Sequence, residues 1–324
     1  MPRKAPRFST TPRIVACPDS LKGVLASGEA AAALAEGCSH AGVACDEVPL
    51  ADGGEGTAEV LSRAFGGEWR TARVHDPLGR EIEARFLVLP DGIAVVESAE
   101  PLGLSRLAPD ELDPLRASSR GLGELILAAG HRDLILPIGG TATVDGGAGL
   151  REVVEELPGR ATVLCDVRSP LLDAARVFAA QKGASPADAV ELERRLAEME
   201  ELRPYADVPG AGAAGGLGAA FAALGAELVP GAEFVLTAVS LRERLRGAAL
   251  AVTGEGKVDR TSGEGKVVGA VVRLCAEEGV RCAVFGGRVE EPLPGAESYE
   301  LSGDPRRARD DLVALGERLA RSVV

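Results

Sequence analysis

The first of four polar, glycine-rich segments, residues 16–23, directly follows an apolar run that predicts a strand. Within it, Asp19, Ser20 and Lys22 place a carboxylate, a hydroxyl and an ammonium inside four residues. These groups could bind phosphate or a small acidic substrate. They could equally form an ordinary turn in which Asp19 or Ser20 caps a helix and Lys22 is solvated. A position after a strand favours a ligand, because the carboxyl ends of parallel strands line the ligand crevice of an open sheet.

The second segment, residues 50–57, brackets two carboxylates, Asp52 and Glu55, with three glycines just before a predicted helix. Backbone amides at glycines such as Gly53 and Gly54 can approach a ligand closely, and a helix N-terminus favours phosphate. Mg²⁺ prefers carboxylate oxygens and water, so Asp52 and Glu55 are the candidate metal ligands. A glycine-rich turn in which Glu55 caps the helix is the alternative, which we favour less.

The third segment, residues 138–149, holds five glycines, two threonines and Asp145 between a predicted strand and a short helix. A turn that only reverses the chain needs one or two glycines, so this number favours a binding function. Exposed amides and hydroxyls in such a nest suit an anion. The candidate nucleotide-binding residues here are Gly139, Gly140, Thr141, Gly146 and Gly147.

The fourth segment, residues 253–260, alternates glycine, acid and lysine after an apolar run. Gly254, Gly256 and Lys257 are its candidate nucleotide-binding residues. A charged surface loop without a ligand explains the spacing equally well. We expect the segment to leave its strand at residue 253 and to continue as a loop.

The two standard nucleotide-binding motifs do not explain these segments. A Walker A loop needs a glycine five residues before its Gly-Lys pair, but Ala251 and Arg260 occupy the two positions where it would have to stand. Residues 210–215 match G-x-G-x-x-G, which keeps a nicotinamide-dependent oxidoreductase as an alternative function. Two prolines within residues 203–209 exclude a central strand before that motif, so the dinucleotide interpretation lacks its structural context.

The elements that must position these segments alternate between strand and helix, which is typical of parallel α/β construction. Strands are predicted at residues 14–16, 47–50, 133–138, 162–165, 250–253 and 282–285, and helices at 28–36, 57–65, 119–129, 186–201, 267–277 and 305–322. A different pattern holds at residues 82–96, where two alternating runs flank Pro90-Asp91-Gly92 and predict a β-hairpin.

We therefore predict two α/β domains. Residues 14–67 and 242–324 form a discontinuous, Rossmann-like domain with a parallel sheet, in which the strands near residues 14, 48, 250 and 282 are neighbours. Residues 68–241 form a second α/β domain inserted into the first, with a β-hairpin subdomain that begins near Trp69. We expect Gly23, Gly53, Gly140 and Gly254 to border one interdomain cleft.

Composition excludes several classes of protein. A chain of 324 residues favours two domains over one core. Its net charge of −13 argues against nucleic-acid binding, which needs a basic face. No apolar run approaches the roughly 20 residues needed to span a bilayer, so we expect no membrane association. A homodimer is compatible with the sequence but not required by it.

The cysteines and the first residues of the chain point to the cytoplasm. None of the six cysteines forms a Cys-x-x-Cys pair, which favours reduced, mostly buried thiols. Residues 1–13 are basic but precede no apolar run of signal-peptide length, so we interpret them as a flexible N-terminal tail.

Seven blocks in the same order resemble the glycerate kinase family, of the type that forms 2-phosphoglycerate. They are CPDSLKG at 17–23, PLADGGEGT at 49–57, GGTATVDGGAGL at 139–150, CDVRSPL at 165–171, QKGA at 181–184, PGAGAAGGLG at 209–218 and TGEGKVD at 253–259. Each block by itself is weak, but seven in register over residues 14–287 are specific. Leu21 and Val144 depart from the family, which usually has phenylalanine and asparagine at these positions, and residues 150–165 are shorter than usual.

The resemblance implies an ATP-dependent kinase that phosphorylates glycerate to 2-phosphoglycerate by direct, Mg²⁺-assisted transfer. Such a reaction needs positioned phosphates, a metal, positive charge and an acceptor for the hydroxyl proton. We assign Lys22 to the transferred phosphoryl group and Asp52 to the base or the metal, with Asp145 and Asp166 as alternates. Asp19, Ser20 and Lys182 are the candidate substrate-binding residues. A non-catalytic, ligand-binding relative of the kinase is the remaining alternative.

Overall fold

The structure is a computed structural model that describes residues 12–130, 132–263 and 266–324. Of the expected tail, residues 1–13, only Pro12 and Arg13 lie within the described residues, and Arg13 begins the first strand. The chain divides into two compact units. The first combines the chain through Leu50 with Ser240–Val324, and the second is Ala51–Val239.

Strands and helices alternate along both units. The strands of the described residues are β1 (Arg13–Ala16), β2 (Ala44–Glu47), β3 (Glu68–His75), β4 (Glu81–Val88), β5 (Ala94–Val95), β6 (Leu134–Pro137), β7 (Ala161–Leu164), β8 (Glu227–Val229), β9 (Leu250–Val258), β10 (Arg281–Val289) and β11 (Glu297–Glu300). The α-helices are α1 (Ser27–His40), α2 (Thr57–Phe65), α3 (Ala99–Leu102), α4 (Arg120–Ala129), α5 (Ala148–Arg151), α6 (Asp173–Arg176), α7 (Pro186–Glu198), α8 (Ala213–Ala223), α9 (Gly231–Ala238), α10 (Leu241–Leu245), α11 (Val267–Glu278) and α12 (Ala308–Arg321).

The first unit is a five-stranded parallel sheet in the order β11-β10-β9-β1-β2. The prediction that the strands near residues 14, 48, 250 and 282 share one sheet is thereby confirmed. The second strand lies three residues earlier than predicted, although Val48 continues the pairing by donating its N–H to the carbonyl of Ala16 (2.8 Å). Both faces of a parallel sheet are covered, which explains why β1 and the start of β9 are apolar and buried.

Helix α1 runs to His40, although we expected it to stop before Gly37. This glycine permits close helix packing instead of ending the helix. A Cβ at Gly37 would lie 2.0 Å from the carbonyl oxygen of Val313 on α12, and one at Gly316 would lie 2.3 Å from the carbonyl oxygen of Leu34 on α1. The two helices therefore approach backbone to backbone, at positions where neither tolerates a side chain.

The second unit is a six-stranded mixed sheet in the order β3-β4-β5-β6-β7-β8. The strands β3, β4 and β5 are antiparallel and β5 to β8 are parallel, which confirms the predicted hairpin next to an α/β arrangement. Leu122, Leu125 and Ile126 of α4 and Leu217 and Phe221 of α8 are buried in its main core.

The first unit ends at Leu50, whereas the sequence placed the domain boundary at residue 67. Helix α2 accounts for the difference, because its Ala58 and Leu61 pack with Leu87 and Val95 in a core of the second unit. The return to the first unit, at Ser240, lies two residues before the expected position.

The G-x-G-x-x-G match at residues 210–215 follows a 3-10 helix, Glu200–Tyr205, and not a strand. Its Gly215 has a positive φ of 76°, and a Cβ there would lie 1.9 Å from the carbonyl oxygen of Thr143. Close backbone packing thus accounts for this glycine, and the context of a dinucleotide-binding motif is missing.

All six cysteines are free thiols, and all but Cys45 are buried. This agrees with the expectation that the fold needs no disulfide. None of the helices in the described ranges combines the length and apolar character that crossing a bilayer requires.

Candidate functional site

In the first unit, a pocket of about 900 Å³ opens at the carboxyl ends of the strands. Its wall includes Ser20 and Lys22 after β1, Gly256 and Lys257 on β9, and residues 300–305 at and beyond the end of β11. The connection from β1 leads through α1 to β2 on one side, whereas that from β9 leads through α11 to β10 on the other. The pocket therefore lies at the topological switch point, where open α/β sheets bind their ligands.

The loop after β1 is fixed to the neighbouring strand. The N–H of Asp19 donates a hydrogen bond to the carbonyl of Gly254 (3.0 Å), and the N–H of Leu21 donates one to the carbonyl of Leu25 (2.9 Å). Asp19 is buried and accepts a hydrogen bond from the N–H of Ser20 (2.6 Å), so its position in the loop is structural. Ser20, Leu21 and Lys22 are the residues of this segment that line the pocket.

The fourth segment is not a loop, contrary to expectation. Gly254, Gly256 and Lys257 belong to β9, which continues to Val258 because β10 extends with it and pairs Lys257 with Arg288. A Cβ at Gly254 would lie 2.3 Å from the carbonyl oxygen of Phe285, so this glycine is needed for strand packing.

The ammonium group of Lys257 is engaged in two ion pairs, with Glu290 (3.0 Å) and with Asp259 (3.5 Å). These carboxylates hold its pKa above the ordinary value, with the hydrogen bond to Glu290 as the main cause. A phosphate bound here would have to compete with both carboxylates for the lysine.

In the second unit, the loop that holds Asp52 is tightly packed. The carboxylate of Asp52 accepts a hydrogen bond from the N–H of Gly54 (3.0 Å), and the hydroxyl of Thr57 donates one to the carbonyl of Gly54 (2.8 Å). Gly53 has a φ of 82°, and a Cβ there would lie 2.6 Å from the Cα of Gly231 at the start of α9. These contacts require glycine and fix the direction of the Asp52 side chain.

Asp166 lies near Asp52, at the end of β7. Its carboxylate accepts hydrogen bonds from the N–H of Ala232 at 3.1 and 3.3 Å. Burial raises the pKa of Asp166 to about 6, and the neighbouring charge of Asp52 acts in the same direction. The fold thus brings together two of the predicted catalytic carboxylates and places them in different environments.

The second and third segments also meet. A Cβ at Gly139 would lie 3.4 Å from the Cα of Gly54, and one at Gly140 would lie 3.6 Å from a carboxylate oxygen of Glu55. Gly139 is fixed by Ser98, whose hydroxyl accepts a hydrogen bond from its N–H (3.1 Å). Glu55 is exposed and lines a separate pocket of about 330 Å³ in this unit.

Glu97 is a residue that the sequence argument missed. Its two carboxylate oxygens accept hydrogen bonds from the N–H groups of Ala58 (2.5 Å) and Gly56 (3.3 Å), at the N-terminus of α2. Burial raises the pKa of Glu97 to about 7. A single carboxylate directly after the apolar residues 93–96 was the signal that could have identified it.

Lys182 contacts the third segment from a short 3-10 helix. Its ammonium donates hydrogen bonds to the carbonyl of Thr143 (2.8 Å) and the hydroxyl of Thr141 (3.3 Å), and all three residues are buried. Burial lowers the pKa of Lys182 to about 7, against the opposing effect of the Asp145 charge. The hydroxyl of Thr143 has no hydrogen-bond partner among the described residues.

The rest of the third segment has structural contacts. The carboxylate of Asp145 accepts hydrogen bonds from the N–H and hydroxyl of Ser119 (2.8 and 2.7 Å) and from the N–H groups of Gly147 and Gly149 (both 3.1 Å). It therefore caps the starts of both α4 and α5. Val144, which replaces the usual asparagine, is buried in an apolar cluster.

Packing accounts for Gly146 and Gly147 as well. A Cβ at Gly146 would lie 2.5 Å from the sulfur of Met199, and one at Gly147 would lie 2.4 Å from the Cβ of Ala220. Both glycines have a positive φ. A role of these two residues in nucleotide binding stays a prediction, and the contacts here explain them without one.

A Mg²⁺ site in proteins often needs only one or two carboxylates, with phosphates and water supplying the other ligands. No group of three or more His, Cys, Asp or Glu side chains suited to a metal occurs among the described residues. The described residues therefore form no metal cage of protein ligands only, and Asp52 and Glu55 stay the predicted ligands of a cation that is bound together with phosphate.

Phosphoryl transfer needs positive charge near the phosphates and a carboxylate near the acceptor. The two units carry lysines and carboxylates on α/β frameworks, an arrangement compatible with a small-molecule kinase. The chain belongs to the glycerate kinase family, whose sequence profile matches residues 14–156 and 152–303.

Individual relatives agree with this membership. The chain is 40% identical over 303 residues to glycerate 2-kinase of Escherichia coli K12, covering 79% of this chain and 80% of that protein. It is 35% identical over 322 residues to the glycerate kinase of Halalkalibacterium halodurans, covering 85% of each. A crystal structure assigned as glycerate kinase 2 of Salmonella typhimurium LT2 superposes with a TM-score of 0.79 at 30% identity, over 96% of this chain and 98% of that one.

Proposed function

We propose that this enzyme transfers the γ-phosphoryl group of ATP to the 2-hydroxyl of glycerate, giving ADP and 2-phosphoglycerate, with Mg²⁺ as its cofactor. The observation that carries the proposal is the pocket at the switch point of a parallel sheet, lined by both lysines and carboxylates, in a chain of this family. The 40% identity to a protein named glycerate 2-kinase supports glycerate as the acceptor and the 2-hydroxyl as its reacting group.

ATP would bind in the pocket of the first unit. A volume of about 900 Å³ lies at the upper end of the range for small-molecule pockets and accommodates a nucleoside triphosphate. Lys22 and Lys266 line it, and both charges would favour the phosphates. We assign Lys22 to the transferred γ-phosphoryl group, because its loop follows the central strand β1.

Glycerate would bind through residues of the second unit. Asp52 would accept the proton of the glycerate hydroxyl as its oxygen attacks phosphorus and the bond to the β-phosphate oxygen breaks. Asp166 would hold the α9 N-terminus beside Asp52 through its bond to Ala232. Lys182, beside Thr141, is the cation that we assign to the glycerate carboxylate.

Mg²⁺ would be held by Glu55 of the glycine loop before α2, with phosphate oxygens and water as its other ligands. Bound there, it would neutralise charge on the transferred phosphoryl group. If Asp52 is instead the second metal ligand, Asp166 is the alternate base. The protein side chains supply the remaining requirements, namely the position of the hydroxyl, the acceptor for its proton and the clamp on the phosphates.

A cytoplasmic location and a homodimer are further parts of the proposal. Six free thiols are compatible with a reducing compartment, and this supports the first. Fractionation of the host cell tests the location, and light scattering of the purified enzyme tests the oligomeric state.

The decisive experiment is steady-state release of ADP with glycerate as acceptor, followed by identification of the product by ³¹P NMR. Lys22→Ala and Asp52→Asn should each lower kcat by about 10²–10³, by analogy with the loss of one oxyanion-hole donor. Asp133→Asn, which removes an exposed ion pair with Arg160 far from any strand carboxyl end, is the control and should keep full turnover. Wild-type turnover in both site variants, or 3-phosphoglycerate as the product, would contradict the corresponding part of the proposal.

A further inference from the structure

We propose that Glu255 is the residue through which the pocket of the first unit binds the divalent cation of a metal–nucleotide complex. This inference rests on the proposed binding of ATP in that pocket and adds a metal ligand outside the loop that holds Asp52 and Glu55. Glu255 lies on β9, one strand from the central β1, and its side chain lines the pocket.

The carboxylate of Glu255 is incompletely satisfied. Its Oε1 atom is buried and has no hydrogen-bond partner among the described residues. A buried carboxylate oxygen without a hydrogen-bond partner destabilises the folded protein by the desolvation free energy of a charged group. Such atoms are therefore rare unless a ligand or an ion binds to them. Burial also raises the pKa of Glu255, and this is opposed first by the hydroxyl of Ser262 and then by the charges of Lys266 and Lys22.

The other carboxylates of the pocket already have partners. Asp259 accepts hydrogen bonds from the N–H and hydroxyl of Thr261 (2.8 and 2.6 Å). Glu300 accepts one from the N–H of Val289 (2.8 Å), and Asp311 accepts one from the N–H of Ser302 (3.0 Å). Among the acids that line the pocket, Glu255 is the one with a buried oxygen that has no hydrogen-bond partner among the described residues.

The chemistry of this oxygen favours a cation. A carboxylate can only accept hydrogen bonds and repels phosphate, yet the lysines around Glu255 would attract phosphate into the same space. A divalent cation between the carboxylate and the phosphates resolves the conflict. Mg²⁺ in kinase sites is commonly held by one or two carboxylates together with substrate phosphates, which is the set that Glu255 and a bound nucleotide would supply.

The backbone around Glu255 leaves room for such a complex. A Cβ at Gly256 would be in ordinary van der Waals contact, at 3.8 Å, with both the Cα of Leu21 and the backbone nitrogen of Lys22, so the loop after β1 passes close to β9. The pocket of about 900 Å³ that both segments line supplies the space for the complex. Gly287 on β10 lines the same pocket without a side chain. Phosphates held by Lys22 would therefore lie next to the Glu255 carboxylate.

The test is calorimetric titration of ADP into the full-length protein, with Mg²⁺ present or removed by EDTA, and without acceptor. Wild type should bind ADP roughly tenfold more tightly with Mg²⁺ than with EDTA, as expected for a metal that both protein and nucleotide ligate. Glu255→Gln should keep the affinity measured in EDTA and lose the gain from Mg²⁺. Glu255→Asp, which retains the charge, should restore part of that gain.

The matched control is Glu300→Gln, which removes a carboxylate that lines the same pocket but is bound to Val289. It should keep the full effect of Mg²⁺. If Glu255→Gln keeps the tenfold gain, or if Asp52→Asn abolishes it while Glu255→Gln does not, the inference is wrong. A wild-type protein that binds no ADP in either condition would instead contradict the proposed function.

Electron paramagnetic resonance with Mn²⁺ in place of Mg²⁺ gives a second readout that needs no turnover. In a mixture of wild type and ADP, the signal of free Mn²⁺ should be replaced by that of bound Mn²⁺. This should occur at a lower Mn²⁺ concentration than in a solution of ADP without protein. The same shift in Glu255→Gln would overturn the assignment.

Discussion

The ammonium nitrogen of Lys182 lies 2.8 Å from the carbonyl oxygen of Thr143 and 3.3 Å from the hydroxyl of Thr141. No carboxylate lies within salt-bridge distance of it among the described residues. An unpaired charge at a buried position disfavours the folded state, so this lysine is stabilised mainly by its two oxygen partners. The bonds connect residues 180–182 to the glycine segment at the end of β6 and hold that segment in place.

The stability of the protein should therefore depend on pH through Lys182. Its pKa of about 7 in the folded state is below that of an unfolded lysine, so between about pH 7 and pH 10 the unfolded state binds more protons. Stability relative to Lys182→Met should rise with pH in this range, by about 2–3 kcal/mol between pH 7.5 and 9.5. Urea denaturation of both proteins at several pH values measures the difference.

Lys257→Met serves as the control for this titration. Its ammonium is exposed and ion-paired, and these partners raise its pKa. The difference in stability between wild type and Lys257→Met should stay constant from pH 7.5 to 9.5. A constant difference for Lys182→Met as well would show that Lys182 stays protonated in the folded protein.

For the glycine segment at residues 138–149, the sequence predicted the unusual backbone but not the contacts that require it. Five glycines correctly indicated unusual backbone geometry, but composition could not separate glycines that approach a ligand from glycines that approach other residues. Gly146 meets Met199 and Gly147 meets Ala220, partners more than 50 residues away in the chain. Such contacts depend on tertiary packing, which local sequence does not encode.

The same limit applies to residues 253–258. The alternation of glycine and charge is typical of a loop, and the sequence predicted one. The strand continues because residues 285–289 of β10 extend beside it, with Glu255 paired to Gly286. Two weak strand segments stabilise each other, and neither was predictable by itself. The apolar cores of β1, β9 and β10 were predictable, since their pattern is local.

Asp145→Asn should lower stability more than Asp133→Asn. The Asp145 carboxylate accepts four hydrogen bonds at the starts of two helices, and an amide would place a donor against some of these N–H groups. We expect a loss of about 1–3 kcal/mol in the free energy of unfolding. Asp133 forms an exposed ion pair with Arg160, whose removal should change stability little. Urea denaturation at pH 7 compares the two variants.

Activity assays on the same variants separate structure from catalysis. If Asp145 acts only as a cap, the folded fraction of Asp145→Asn should retain kcat within a few-fold of wild type. A loss of kcat by about 10² in fully folded protein would instead support a catalytic role. Equal stability of wild type and Asp145→Asn would contradict the capping role.

Gly53→Ala and Gly56→Ala form a matched pair on one loop. Both glycines have a positive φ, of 82° and 90°, so either alanine introduces backbone strain of about 1–2 kcal/mol. At Gly53 the new Cβ would also lie 2.6 Å from the Cα of Gly231, whereas at Gly56 no atom lies within 4 Å. Gly53→Ala should therefore cost about 3 kcal/mol or more and displace Asp52, with a fall in kcat.

Thermal unfolding and the ADP-release assay test this pair. Gly56→Ala should keep its activity, because its strain does not shift the start of α9. Equal losses of stability in the two variants would mean that the backbone near Gly231 moves away from the new Cβ at no cost in the free energy of unfolding. The loop would then be less constrained than its packing indicates.

Glu97 should make the stability of the second unit depend on pH in the direction opposite to Lys182. Its pKa of about 7 in the folded state exceeds that of an unfolded glutamate, so between about pH 4.5 and pH 7 the folded state binds more protons. Relative to Glu97→Gln, wild type should therefore gain stability as pH falls from 8 to 5. Above pH 7 the buried carboxylate is ionised, and the N–H groups of Gly56 and Ala58 compensate only part of its desolvation. Urea denaturation at pH 5, 6.5 and 8 measures both proteins, and a difference between wild type and Glu97→Gln that is constant or grows with pH would contradict the raised pKa.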